Sequence, residues 1–158
     1  MKPAEQQSAA DVARMLRDAE TLCEERGLAF TPLRREVFEL VCRHSSSVGA
    51  YELLDELRAV RDSAAPVTVY RALEFLLAAG LVHRVAALNA YTACHRHEPG
   101  HGGLLLVCGS CSNVVELANS EIERHIAAAA AAARFETAPD PVEVRGICSQ
   151  CRAGGAAS

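Results

Sequence analysis

Apolar residues recur at three- and four-residue steps as far as residue 80 and then fall into short contiguous runs. The chain therefore predicts a helical half followed by a half that contains strands. In a first helix over 8–26, Val12, Met15, Leu16, Ala19, Leu22 and Cys23 share a face, and Gly27 ends the pattern. Cys23 on that face is expected to be a small buried hydrophobe. Thr31-Pro32 opens a second helix, with Thr31 as N-cap and Pro32 at the first helical position, where its missing N–H costs nothing. Its stripe is Leu33, Val37, Leu40 and Val41. Cys42 and His44 near its end are given structural roles, the histidine satisfying terminal carbonyls and the helix dipole. After the serines at 45–47, a third helix over 50–59 buries Leu53, Leu54 and Leu57. Pro66 begins a fourth that ends at Gly80. Val69, Leu73, Leu76 and Leu77 lie on one of its faces, and Tyr70, Arg71 and Glu74 on another.

Runs at 81–85 and 90–93, with Asn89 in the turn between them, read as a hairpin. Helices followed by a hairpin describe a winged helix-turn-helix, and the fourth helix occupies the recognition position. Residues 95–103 are polar and rich in histidine and glycine, as a linker would be. Beyond it, 104–107 and 114–117 are expected strands, Ser120 is expected to cap an alanine-rich helix reaching residue 133, and 135–144 is expected to return as a strand broken by Pro139 and Pro141. The last six residues, 153–158, are expected to be disordered. The expected class is α+β, with a winged-helix domain over 1–93, a hinge over 94–103 and a small α/β dimerisation domain over 104–158. So small a sheet gains from a metal staple and from pairing with a second copy.

Composition narrows the setting. Half of the 158 residues are apolar, enough for a core, and no run of 18 apolar residues or cationic leader is present. Seven cysteines without an export signal suit a reducing compartment where thiols bind metal, so a cytoplasmic location is expected. The net charge is −4. It is spread evenly, since residues 1–92 hold 11 Lys and Arg against 13 Asp and Glu, and the remainder 5 against 7. Contact with nucleic acid would therefore rest on a local arginine cluster and not on a basic domain.

Chemistry concentrates in Cys108-Gly-Ser-Cys111 and Cys148-Ser-Gln-Cys151. Two such turns supply the four thiolates of a closed structural zinc site, with Zn–S bonds of roughly 2.3 Å, and Gly109 is expected to ease the first turn. Two disulfides, or a C-x2-C redox motif, are the alternatives; each would use one pair alone, and neither accounts for the duplication. A second set, His83, Cys94, His101 and Glu116, offers two imidazoles, a thiolate and a carboxylate, in number and softness suited to zinc. Taken singly, His83 reads as a surface histidine and Glu116 as a solvated strand residue.

Several stretches resemble the ferric uptake regulator family, and within it the zinc uptake regulators, over nearly the whole chain. Thr31-Pro32-Leu33-Arg34 is similar to that family's T-P-x-R helix start, Val67-Thr68-Val69-Tyr70-Arg71-Ala72-Leu73 to its recognition helix, and Gly80-Leu81-Val82-His83 to the start of its wing. The resemblance implies structural zinc at the four-cysteine set and a sensory zinc at His83, Cys94, His101 and Glu116, about two ions per monomer. Cys94-His95-Arg96-His97 departs from the His- and Asp-rich stretch of the iron- and manganese-sensing relatives, and a thiolate there favours zinc. His95, His97, Glu123 and Asp140 resemble a third, weaker site; a surface H-x-H beside unrelated acids is the preferred reading.

On double-stranded DNA, Arg71 is the candidate for a base contact through its bidentate fork. Thr68 and Tyr70 stand beside it, while Arg34, Arg35 and Arg84 are candidates for the phosphate backbone; the alternative is an ordinary solvated face. Motifs of deaminases, zinc proteases, serine hydrolases and phosphate loops are missing, so no catalysis, no small-molecule substrate and no membrane partner are expected. The resemblance implies a homodimeric, zinc-responsive repressor of zinc-acquisition genes, with an iron- or manganese-sensing relative, or a zinc-ribbon interaction module, as the alternatives.

Overall fold

The structure, a computed structural model, describes residues 7–95 and 103–155. Helix α1 (Ala9–Glu25) starts at Ser8, whose hydroxyl accepts from the Asp11 amide, and buries Val12, Met15, Leu16, Ala19 and Cys23. Helix α2 (Pro32–Arg43) has Thr31 as its cap and Pro32 in its first turn, as expected. Helices α3 (Ala50–Arg58) and α4 (Pro66–Ala78) follow. Gly80 then takes φ +73, a left-handed value that lets the chain leave α4 and enter the wing at little steric cost.

The wing holds one strand more than the sequence predicts. Strands β2 (Val82–Val85) and β3 (Ala90–Ala93) form the hairpin, turning through a short 3-10 helix at Ala86–Leu88 and a left-handed Asn89. The two-residue β1 (Val48–Gly49) pairs on the other edge of β3, giving the order β1-β3-β2. A two-residue strand carries no period and exists because β3 offers it a partner. Under this sheet lies the main core, in which Phe38, Leu53, Leu57, Leu73 and Leu76 are fully enclosed.

In the C-terminal half, β4 (Leu104–Cys108) is the central strand, antiparallel to β5 (Val114–Leu117) and parallel to β6 (Val142–Gly146). Four expectations are corrected here. The strand expected over 135–144 forms only from Val142 onward, because Pro139 and Pro141 remove ladder donors. Asn119, not Ser120, caps helix α5 (Ser120–Ala132), its side chain accepting from the amides of Glu121 and Ile122. A further helix, α6 (Ser149–Gly155), takes up half of the tail expected to be disordered. His44, expected to satisfy helix-end carbonyls, places Nε2 2.8 Å from Glu56 on α3.

The two halves touch directly. One face of the second sheet sets Leu105, Val107 and Val114 against Val85 and Leu88 of the wing. The opposite face leaves Leu106, Val115, Val142 and Val144 between 38% and 47% exposed.

Candidate metal centres and nucleic-acid surface

The central strand β4 delivers Cys108 at its end, and the turn behind it delivers Cys111. Gly109 lies in that turn without a positive φ, and the left-handed position falls at Ser112, at φ +60, just after Cys111. From the parallel neighbour β6 the chain runs straight into Cys148, and the first turn of α6 brings Cys151 back. All four sulfurs lie within 4.8 Å of one another, with Cys111 and Cys148 Sγ 3.7 Å apart. A tetrahedron of bonds about 2.3 Å long has edges of about 3.8 Å. The set therefore fits a four-coordinate zinc.

Its protons tell the same story. The backbone N–H of Cys148, joined by those of Cys111 and Ser110, lowers the Cys108 thiol to about 6. The neighbouring thiols of Cys111 and Cys148 push Cys151 up to about 12. Four sulfurs this close cannot all ionise without a cation among them, and a divalent ion is what would offset the repulsion.

The second centre is assembled across the two halves. His83 comes from β2, Cys94 follows β3, and Glu116 lies on β5. The Nε2 of His83 is 3.0 Å from Glu116 Oε1, and Cys94 Sγ is 3.7 Å from the same oxygen. Glu116 Oε2 accepts the His95 amide at 2.9 Å, which orients the carboxylate. The His83 and Glu116 side chains are 8% and 5% exposed, so the surface roles open to them as isolated residues do not apply. Three unlike ligands enclosed together suit zinc, at spacings close to the edges of a tetrahedral site.

His101, the fourth residue of the expected set, lies outside the described residues. Gly103, two positions later, is in view: a Cβ there would lie 3.4 Å from the His83 ring, at a φ of +74. The chain thus passes against the imidazole where only glycine is unstrained. Of the third set, His97 lies outside the described residues, and His95, Glu123 and Asp140 do not converge as a metal-ligand group.

On α4, the helix expected in the recognition position, Tyr70 and Arg71 are exposed and Thr68 is half-buried. Arg34 and Arg35 are more committed than their sequence setting suggests. The Arg34 guanidinium lies 3.8 Å over the Phe75 ring and donates to the Ala29 carbonyl. Arg35 donates to Glu20 at 2.7 Å and lies 3.5 Å from Glu39. Thr68, Arg71 and Arg34 border one shallow hollow, and Tyr51, Tyr70 and Asn89 another. Tyr51, 71% exposed, escaped the sequence reading. Its one signal was an aromatic residue out of phase with the Leu53, Leu54 and Leu57 stripe.

Comparison with known proteins agrees with this geometry. A profile of the ferric uptake regulator family matches residues 25–145. The chain is 37% identical over 138 residues to the zinc uptake regulation protein of Escherichia coli (strain K12), covering 87% of this chain and 81% of that protein. Among solved structures, it is similar to a zinc uptake regulator complexed with zinc and DNA, at TM-score 0.85 and 34% identity over 95% of this chain and 99% of the other. Holo XcZur matches at TM-score 0.78 and 40% identity, covering 89% and 98% of the two chains. Apo XcZur matches at 0.55 and 38% identity, covering 91% and 99%.

Proposed function

This chain belongs to the ferric uptake regulator family, and we propose on that footing that it is a zinc-responsive DNA-binding regulator of zinc uptake, with zinc as corepressor at the promoters of zinc-acquisition genes. It binds double-stranded operator DNA as a homodimer, and its similarity to a zinc uptake regulator complexed with zinc and DNA supports both zinc and DNA as ligands. Among the described residues no helix is long and apolar enough to cross a membrane. We place the winged-helix domain at 1–93, the hinge at 94–103 and the dimerisation domain at 104–158, in the cytoplasm. The site residues assign no catalytic role.

One observation carries the reading: His83 of the wing and Glu116 of the C-terminal sheet meet at 3.0 Å with the Cys94 thiol beside them. In the proposal, Cys108, Cys111, Cys148 and Cys151 hold a structural ion, and His83, Cys94, His101 and Glu116 hold a regulatory one, two per monomer. Zinc bound at the second set supplies positive charge that three closely packed donors need and a bond between the halves. His83 and Glu116 then fix the angle between wing and dimerisation domain. In a dimer that angle sets the separation of the two α4 helices, which must reach major grooves about one turn apart. The closer likeness to holo than to apo XcZur supports a zinc-loaded arrangement here. Arg71 reads a base, Thr68, Tyr70 and Tyr51 flank it, and Arg34 keeps a backbone role at the rim, whereas the Glu20 and Glu39 pairing of Arg35 competes with one. The Cys94 thiolate favours zinc over iron or manganese as the sensed ion.

Graded chelation, with zinc content and promoter binding followed together, tests this. Two ions per monomer are expected, one resistant and one readily removed, and DNA binding should leave with the second. The Cys94→Ala variant should keep the resistant ion and lose zinc-dependent binding. A single ion, with DNA binding indifferent to chelator, would overturn the reading.

A further inference from the structure

Among the described residues, two polar side chains that are not metal ligands, Ser46 and Glu143, reach between the halves, and both lead back to the regulatory centre. Ser46, in the loop between α2 and β1, donates from Oγ to the Ser112 carbonyl at 3.0 Å and accepts from the Val114 amide at 3.1 Å. Ser112 follows Cys111 in the first cysteine turn, and Val114 begins the strand that carries Glu116 two residues later. The carbonyl of Ser46 accepts from Thr92 Oγ1 at 3.3 Å, and Thr92 is paired directly with His83 in the wing ladder. One serine thus joins the His83 rung to the Glu116 strand.

The second contact is Glu143. Across the C-terminal sheet, Leu105 pairs with Glu116 on one side and Glu143 on the other, so the two carboxylates sit at opposite ends of a single rung. Glu116 reaches His83 near the start of β2. Glu143 reaches the far end of that strand, accepting from the amides of Ala86 and, at 2.9 Å, Ala87. Between them the apolar contact of Val85 and Leu88 with Leu105, Val107 and Val114 closes the seam. The wing strand is held at both ends by one rung, and only one end is a metal site.

We propose that Ser46 and Glu143 are positioning residues that hold His83 against Glu116 before the regulatory ion arrives, and so set the zinc concentration at which the protein responds. The inference rests on the regulatory role proposed above for those ligands. An ion that binds only the closed arrangement has its apparent affinity reduced by the fraction of molecules that are open. Removing hydrogen bonds that exist only in the closed arrangement lowers the closed fraction. It leaves the ligands themselves untouched.

The experiment uses the full chain with its four-cysteine ion retained, and compares wild type with Ser46→Ala and Glu143→Ala. Affinity for the second zinc is measured by competition with a fluorescent chelator, and the zinc concentration for half-maximal promoter binding is measured alongside. Each variant should weaken second-site affinity roughly five- to thirtyfold, the factor that one or two net hydrogen bonds supply. The response threshold should rise in step. Promoter affinity at saturating zinc should stay within about twofold, since the closed form can still be reached. Amide exchange in the metal-depleted protein should speed up at Ala86 and Ala87 in Glu143→Ala, and at Val114 in Ser46→Ala. The proposal falls if both variants bind the second zinc as wild type does, or if promoter binding at saturating zinc drops as far as zinc affinity. A wild-type protein that takes up no second ion would bring down the regulatory reading as well.

Discussion

Arg71 and Arg35 carry the same charge and differ in what surrounds them. Arg71 is exposed on α4 and, among the described residues, makes no ion pair, whereas Arg35 is taken up by Glu20 and Glu39. A guanidinium that is already paired must break those contacts to meet a phosphate; a free one loses only water. Arg71→Ala should therefore relax preference at the base pair it reads by about 1–3 kcal/mol, measured on operators that differ at single positions. Arg35→Ala should leave the preference unchanged. A loss of affinity in Arg71→Ala that is the same for every sequence would remove its base-reading role. His83 teaches the complementary lesson. A histidine on a short wing strand looks solvated until a second sheet closes over it.

At the scale of elements, α5 is the least self-sufficient part of the chain. It has no buried residue, and its apolar positions Ile122 and Ile126 are exposed or only half covered. The neighbouring sheet presents Val115, Leu106 and Val144 as one in-register apolar row across three strands, each more than a third exposed. An alanine helix that buries none of its residues and an apolar sheet face left more than a third exposed among the described residues are what we propose as the interface with a second copy. Replacing Leu106 by Asp should convert the dimer to a monomer in sedimentation while the four-cysteine ion stays bound, because Leu106 is not one of its ligands. Persistence of the dimer would move the interface elsewhere.

For the whole molecule, the charge balance matters as much as any contact. With a net charge of −4 the chain as a whole does not draw DNA toward it, so affinity depends on bringing two small arginine-bearing surfaces to the right separation together. That makes binding sensitive to the angle between the halves. Removing the second zinc should enlarge the radius of gyration in solution scattering, adding it back should reverse the change, and the coupling between zinc and DNA should fall in the usual range of about 5- to 150-fold. A scattering profile indifferent to the second ion would argue against an angular switch.

What the sequence determined by itself is local. Caps, stops and helix faces follow from neighbours a few residues apart, which is why α1 to α4 and the hairpin were legible from Thr31, Pro32, Pro66, Gly80 and the spacing of Val and Leu. The four-cysteine centre was legible for the same reason: each pair lies in one turn, and the two pairs need only neighbouring strands. Tertiary structure decided the rest. Strand β1 exists because β3 gives it a partner, β6 is short because prolines at 139 and 141 cannot join the ladder, and His44 turns to a glutamate twelve residues away. The roles of Ser46 and Glu143 depend on partners 56 to 68 residues distant, brought together by the packing of two sheets. Periodicity reports which face of an element is apolar. It is silent on which other face will cover it, and the proposed regulatory centre of His83, Cys94 and Glu116 lies at such a seam.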